Sequence, residues 1–363
     1  MARRTDFALL GLTLLLMALG LAMLYSTSAV LAQMRYHDSL YFLKRQLLWG
    51  GVGLLGLWGM RCIPYSVQRR LAVPALVCTL VALVLVLLPT LGKEVSGARR
   101  WLVIGSLSIQ PSEFAKYTLL LYVARSLAVN QERLTSFVHT YLPNMCVLAV
   151  VTLLVFKEPD LGTAVVLAAT ASLQLLIAGV PWRYLTCTAL AGLPGLYWAV
   201  TRVGFRRGRL MVFLNPFNDR QGGGYQAVQA LLALGHGGLL GIGLGKSQQK
   251  LFYLPEAHTD FIFAVIGEEM GLVGAVALIV LFVLLLWRIL RIAVSCNDPF
   301  GIYLGLGIFS LLSLQVVMNL CVVIGLMPTK GLPLPLISLG GSNLLVSLMA
   351  IGTMLNIAEG GKS

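Results

Sequence analysis

The sharpest local feature of this sequence is a carboxylate at the end of a polar, basic segment. Asp260 closes YLPEAHTD (Tyr253–Asp260), and the apolar run Phe261-Ile-Phe-Ala-Val follows at once. The segment before it, residues 202–260, carries Arg202, Arg206, Arg207, Arg209, Arg220, Lys246 and Lys250 against only Asp219, Glu256 and Asp260. A carboxylate at such a boundary, among cations and near His258, is what a general base acting on a lipid-linked phosphate substrate would need. The same position also suits a helix N-cap, supplied by Thr259 or Asp260.

Four other places hold groups with chemical potential. Glu113 and Lys116 stand three apart and so share a helix face; in an apolar setting they form an ion pair that locks a helix or borders a polar cavity. In Lys157-Glu158-Pro159-Asp160, Pro159 stops one helix and Asp160 can cap the next. Gly97-Ala-Arg99-Arg100-Trp101 pairs two arginines with a tryptophan. That suits an anchor at a membrane surface or a pyrophosphate held by guanidinium forks. Between Met327 and Asn343, Pro328, Pro333, Pro335 and Gly340-Gly341 break helical patterning. Irregular backbone at membrane depth is tolerated only where protein or a water-filled cavity lines it, and Lys330 and Ser342 are candidates for that lining. Glu268, close after Asp260, is a further acid in the same reach of chain. One near-match fails: Gly241–Ser247 (GIGLGKS) has Leu240 where a phosphate-binding P-loop needs glycine. The Cys and His residues are scattered singly, with no metal-ligand spacing.

The elements that must position these groups are membrane helices. Of 363 residues, 58% are hydrophobic and 11% charged, whereas soluble chains have about 45–50% and about 25%. That excludes a soluble enzyme, and the hydrophobicity excludes disorder. A net charge of +13 favours anionic lipid headgroups or phosphates; with no soluble basic domain, no nucleic acid partner is expected. Charge-free runs mark spans at 7–34, 71–92, 134–156, 161–182, 184–201, 270–287, 299–329 and 331–358. Residues 46–60, short unless the helix extends past a snorkelling Arg61, and 111–129 complete about ten transmembrane helices, against the roughly 20 residues a bilayer requires. The first run is longer than a signal-peptide core. With Arg3 and Arg4 held inside, an even count places both termini in the cytoplasm. The expectation is an all-α polytopic membrane protein: one integral membrane domain over 1–363, with a large extracytoplasmic loop, 202–260, between helices 7 and 8. Within that loop Tyr225–Leu234 reads as an amphipathic helix at the membrane interface.

Taken together, GARRW (Gly97–Trp101), QPSEFAK (Gln110–Lys116), EPDLGTA (Glu158–Ala164), YLPEAHTDFIFA (Tyr253–Ala264), GEEMGLVG (Gly267–Gly274) and PTKGLPLPLISLGGSN (Pro328–Asn343) resemble, in order, the SEDS family of bacterial peptidoglycan polymerases. GARRW, GLGKSQQK (Gly243–Lys250) and MPTKGLPLP (Met327–Pro335) are more similar to the division (FtsW) type than to the elongation (RodA) type, and the sporulation (SpoVE) type is also similar. The family usually reads SYGGSS at its last motif; here Leu339 and Asn343 depart from it.

The resemblance implies ten membrane helices, a large outer loop and a bacterial cytoplasmic-membrane location. It implies a glycosyltransferase that joins lipid II into glycan strands in cell-wall synthesis. It places the family's catalytic aspartate on Asp260, its outer-loop tryptophan on Trp101, its buried ion pair on Glu113 and Lys116, and its outer-face acid on Asp160. On that basis Asp260 is expected to act as general base or as ligand of a divalent cation (Mg or Mn), with no organic cofactor. Arg99, Arg100, Arg206, Arg207, Lys246 and Lys250 are candidates for the pyrophosphate. The partners implied are lipid II, membrane lipids, a class B penicillin-binding protein and other division or elongation proteins. An elongation polymerase, a lipid II flippase and a recruiting scaffold are the competing readings. A transporter would place its key charges near the bilayer midplane, a polymerase at one face.

Overall fold

The computed structural model describes residues 6–360 apart from 96, 106, 202–203, 215, 217–223, 248 and 250–253. It is built from helices in the order α1 (Phe7–Tyr36), α2 (Tyr41–Cys62), α3 (Tyr65–Leu87), α4 (Pro111–Val129), α5 (Leu142–Lys157), α6 (Leu161–Ile177), α7 (Trp182–Thr201), α8 (Gly204–Leu214), α9 (Tyr225–Gly237), α10 (Ile262–Val294), α11 (Pro299–Val323) and α12 (Gly341–Ala358). Among the described residues, six stretches are long and apolar enough to cross a membrane: α1, α3, Phe137–Lys157, α10, α11 and α12. Helix α6 is apolar but shorter, and α2, α4 and α7 have the length with more polar, charged or glycine content. Helix α9 coincides with the amphipathic segment expected inside the 202–260 loop.

The run before α4, expected as a loop, is instead a small antiparallel sheet, β1 (Gly92–Val95), β2 (Ala98–Ile104) and β3 (Leu107–Ile109), in that order. The helix-only expectation misses it because β1 and β3 are short and β2 carries two arginines and a tryptophan that read as a membrane-surface loop. Its signals are the β-favouring Trp101-Leu-Val-Ile104 run and two turn glycines, Gly97 and Gly105, both at positive φ. The last apolar run also starts later as helix than its charge-free stretch: α12 begins at Gly341, because Pro333 and Pro335 keep 328–340 out of helical geometry. Conversely, α10 begins at Ile262 and runs through Glu268 and Glu269, both buried. Hydroxyls satisfy them: Ser247 Oγ donates to Glu268, and Ser26 Oγ donates to Glu269 at 2.8 Å.

Helices α4, α11 and α12 form the centre, buried nearly all round, while α1, α2, α3, α7 and α10 expose Leu, Val and Trp on their outer faces. Apolar residues on both sides of a lipid boundary gain little from burial, so close approach governs this packing. Helices α2 and α12 show how: a Cβ at Gly352 would collide with the Leu57 carbonyl. A second close approach sits at Gly271, where α10 kinks with φ 65°. The kink frees the carbonyls of Glu268 and Glu269, which accept from Ile242 N (3.1 Å) and Gly243 N (3.0 Å). The segment after α9 is thereby stitched onto α10.

Two ion pairs define one end of the bundle. Asp6 pairs with Arg288 at 2.7 Å and Arg61 with Glu359 at 2.7 Å. The start of α1 and the end of α12 therefore lie on the same face. The sheet, the α5–α6 turn, the start of α10 and the 328–340 segment lie at the other.

Candidate functional site

Asp260 sits two residues before α10, partly buried, in the corner between that helix and the proline-rich segment. Its main chain is held from behind: Asn319 Nδ2, on α11, donates to Asp260 O (2.9 Å) and to Leu332 O (2.7 Å). The carboxylate lies against Gly331, where a Cβ would stand 3.4 Å from Asp260 Oδ2, in ordinary van der Waals contact. Burial pushes the Asp260 carboxyl up to about 7; Glu256 adds to this, Arg209 opposes it and Asp160 raises it a little further. These four groups thus share one field. A carboxyl poised near neutrality is matched to general-base work.

The second half of the site comes from β2 and the α5–α6 turn. Successive residues on a strand point to opposite faces. Arg100 therefore points inward, while Arg99 turns out and pairs with Glu94 across the hairpin at 3.2 Å. Arg100 donates from Nε to Glu158 O (3.0 Å) and from Nη2 to Pro159 O (2.7 Å), and its Nη1 lies 3.8 Å from Asp160 Oδ2. Asp160 caps α6, accepting from Thr163 N at 3.1 Å and Thr163 Oγ1 at 2.9 Å. The cap and the ion-pair readings of Asp160 therefore both hold. Lys330 reaches the same corner: burial lowers the pKa of its ammonium, and Asp160 opposes that shift. Arg209, on α8, donates to Thr329 O at 3.2 Å. Burial and Arg100 weaken its hold on its proton, and Asp260 strengthens it.

Behind this corner lies Glu158, which is wholly buried. Burial, and then the Asp160 charge, push it up to about 8, against lowering by Arg100 and, least, by Ser112. Neither carboxylate oxygen has a geometrically formed hydrogen bond among the described residues, and the Ser112 hydroxyl already accepts from Gln110 Nε2 at 3.0 Å.

The buried pair forms as its spacing predicts. Lys116 Nζ lies 2.7 Å from Glu113 Oε2, and both side chains are almost fully enclosed. Asn343, one of the two departures from the resembled motif, donates Nδ2 to that same oxygen at 2.9 Å. The pair occupies the first two turns of α4, toward the charged face.

Several expected site residues lie elsewhere. Ser342 does not line a cavity: it is buried, and its Oγ accepts from Gln110 N at 3.0 Å. Glu268 faces Ser247 rather than Asp260. Lys246 is exposed and packs beside Gly243 at the α10 kink. Trp101 stands on β2 opposite Lys93, partly exposed. His258 packs on Phe42 at 4.9 Å between ring centroids and takes Leu339 N on its carbonyl at 3.1 Å. Burial lowers the pKa of its imidazole, against Glu256. The side chains of Arg206 and Arg207, and Lys250 altogether, lie outside the described residues.

Sequence reasoning names Arg209 only as one of seven loop cations, gives Glu158 no role of its own within its motif, and does not name Asn319. The signal for Glu158 is an acid next to a helix-breaking proline and two residues from a second acid. Asn319, inside an apolar run, carries only the general signal of a polar residue in a span.

Donors converging here are carboxylates on one side and guanidinium and ammonium groups on the other. That arrangement can deprotonate a hydroxyl while neutralising an anionic leaving group. Among the described residues no three His, Cys, Asp or Glu side chains gather closely enough to cage a metal. Carboxylate oxygens such as those of Asp260 and Asp160 suit a hard cation that keeps water and substrate phosphates in its shell.

The chain is similar to known proteins over nearly its whole length. Residues 7–362 match the family model FTSW_RODA_SPOVE, described as cell cycle proteins. The chain is 44% identical over 355 residues to a probable peptidoglycan glycosyltransferase FtsW of Trichlorobacter lovleyi, covering 98% of this chain and 93% of that one. It is 40% identical over 354 residues to stage V sporulation protein E of Bacillus subtilis, covering 98% and 97%. Its fold is similar to a chain in a solved peptidoglycan synthase complex that coordinates polymerization and crosslinking, with a TM-score of 0.82, 32% identity, and coverage of 98% and 97%. It is also similar to the rod shape determining protein RodA of Thermus thermophilus, with a TM-score of 0.72, 32% identity, and coverage of 97% and 96%. The chain belongs to the FtsW/RodA/SpoVE family of cell cycle proteins.

Proposed function

We propose that this protein is a peptidoglycan glycosyltransferase that polymerises lipid II into glycan strands at the outer face of the bacterial cytoplasmic membrane, in septal wall synthesis. One observation carries the reading: a carboxyl with a pKa of about 7, Asp260, shares a corner at the membrane's edge with Arg209 and Asp160. Arg100 and Lys330 join that corner through Asp160.

The reaction joins the 4-hydroxyl of an acceptor GlcNAc to the anomeric carbon of a donor MurNAc. Asp260 takes the hydroxyl proton as the oxygen attacks, the bond from that carbon to the pyrophosphate oxygen breaks, and polyprenyl pyrophosphate leaves. Attack opposite an α-linked leaving group gives a β-linkage by inversion, so no covalent enzyme intermediate is required. Arg100, Arg209 and Lys330 neutralise the leaving pyrophosphate, as preorganised cations do for developing charge. Arg206, Arg207 and Lys250, basic residues of the same loop segment, are further candidates for the pyrophosphate. A magnesium or manganese ion, held by Asp260 and Asp160, would add charge neutralisation at the pyrophosphate.

The higher identity to relatives named FtsW (44%) and stage V sporulation protein E (40%) than to RodA (32%) favours a division-type role over an elongation-type one. The likeness to a synthase complex that couples polymerization to crosslinking supports a class B penicillin-binding protein as partner. The Asp260 corner gathers its carboxylates and cations at one face rather than at the bilayer midplane, and the Glu113–Lys116 pair is closed near that face. That favours an enzyme over a flippase. On this reading α2, α4, α6 and α7 cross the membrane with the six more apolar stretches, and both termini are cytoplasmic.

The test is a gel assay for glycan strands. Purified protein is incubated with lipid II and a divalent cation, with and without the cognate penicillin-binding protein, beside Asp260→Ala. Strands from the wild type only are the expected result. No strands in either condition, from folded protein that binds lipid II, would overturn the polymerase reading.

A further inference from the structure

At the face opposite Asp260 the structure holds a second charged feature, which the polymerase chemistry does not use. The start of α3, the end of α4 and the cap of α11 enclose a cavity of about 330 Å³. Arg69 and Arg70 from α3 and Arg125 from α4 line it, with Tyr65 and Ser66 at its edge and Asp298 as its one acid. The arginines converge from two helices, and Arg125 Nη1 reaches Arg70 O at 3.5 Å.

These cations are unmatched. None of the three forms an ion pair among the described residues, unlike Arg61 and Arg288 on the same face. The carboxylate of Asp298 is engaged in capping α11, accepting from Gly301 N at 3.0 Å. Three guanidinium groups around a space of this size form a site for a phosphate, which they can grip with bidentate forks.

The surroundings identify where the phosphate comes from. Val129, which lines the cavity, is apolar and 63% exposed, and Val67 and Leu71, next in the chain to Ser66 and Arg70, are apolar and 38% and 49% exposed. A soluble anion or an acidic peptide has no use for such a border. A phospholipid does, because its headgroup sits beside acyl chains. We propose that this cavity binds the headgroup phosphate of an anionic phospholipid in the leaflet opposite the polymerisation site. The site clamps the α3 and α4 ends that carry the sheet and Glu113 at their other ends.

The test uses the full-length protein in nanodiscs of phosphatidylcholine alone or mixed with phosphatidylglycerol. Retention of phosphatidylglycerol after detergent exchange is read by native mass spectrometry. Arg69→Gln/Arg125→Gln is compared with Arg133→Gln/Arg291→Gln, which removes the same charge from the same face outside the cavity. The wild type and the outside variant should retain phosphatidylglycerol, and the cavity variant about tenfold less, since only that variant loses two guanidinium forks on the phosphate. Arg70→Gln alone, at an exposed position, gives a milder loss and covers failure of the double variant to fold. Equal retention by all variants would overturn the proposal. So would full competition by inorganic phosphate, which would mark a soluble-anion site, or by an acidic peptide, which would mark a protein partner.

Discussion

Asn319 fastens Asp260 to the proline-rich segment through one amide group, whose Nδ2 donates to Asp260 O at 2.9 Å and to Leu332 O at 2.7 Å. A helix interior thus sets the position of a carboxylate that no regular element contains. Asn319→Leu keeps the volume and removes the donor. Leaving buried carbonyls unpaired costs about 1–3 kcal/mol, and a catalytic group displaced by an ångström can cost on the order of a hundredfold in rate. The variant should fold, bind lipid II and turn it over on the order of a hundredfold more slowly. Turnover equal to wild type would show that this clamp does not position Asp260.

Asp260 as general base must be ionised to act, and burial holds its carboxyl up to about 7. Strand synthesis by the wild type should therefore rise with pH through a midpoint near 7. Asp260→Asn should abolish synthesis at every pH while remaining folded. Arg209 opposes the upward shift, so Arg209→Gln should move the midpoint to higher pH as well as weaken pyrophosphate binding. A profile whose midpoint is unmoved in Arg209→Gln would separate the two residues.

Glu158 gives a stability test independent of turnover. Its carboxyl is held up to about 8, chiefly by burial, against an ordinary value of 4.5. A raised carboxyl favours the folded state while protonated. That contribution is complete below pH 4.5 and is lost as pH rises through about 8. Each tenfold change in proton affinity between the unfolded and folded chain corresponds to about 1.4 kcal/mol, so a few kcal/mol are at stake at alkaline pH. Glu158→Gln, neutral throughout, should melt with the wild type at pH 4 and at a clearly higher temperature at pH 9. Parallel melting curves across that range would place the Glu158 charge in contact with water or a cation.

Much of this is legible in the sequence. Charge-free runs locate the apolar helices, because a bilayer penalises unpaired charge along the whole span. The i, i+3 spacing of Glu113 and Lys116 locates their pair for the same reason. The start of α12 is misplaced by hydropathy, which does not register that Pro333 and Pro335 forbid a helix. The strands β1–β3 escape notice because a run of a few residues leaves little periodicity to read. Convergence is the least legible property. Asp160, Arg209, Asp260 and Lys330 are far apart in sequence, and only the packing of α6, α8, α10 and the proline-rich segment brings them to one corner. The same packing turns Arg99 away and buries Ser342.

The Glu113–Lys116 pair carries a prediction about membrane-protein stability rather than chemistry. The two groups meet at 2.7 Å with side chains 6% and 1% exposed, and Asn343 adds a 2.9 Å hydrogen bond to the carboxylate. Removing one member of a buried pair strands the other and typically costs about 3–5 kcal/mol, whereas replacing both with apolar groups is often nearly neutral. Glu113→Leu and Lys116→Met should each lower thermal stability strongly and reduce the yield of folded protein, and the double variant should recover most of that loss. Asn343→Ser, which restores the residue usual in the resembled motif, should cost about 1.5–3 kcal/mol by withdrawing a hydrogen bond from a charged group. If the double variant is as stable as wild type and also makes glycan strands, the pair is a lock on α4 alone. If it is stable but inactive, the charges also shape the field at the polymerising face. A double variant less stable than either single would refute the buried-pair account altogether.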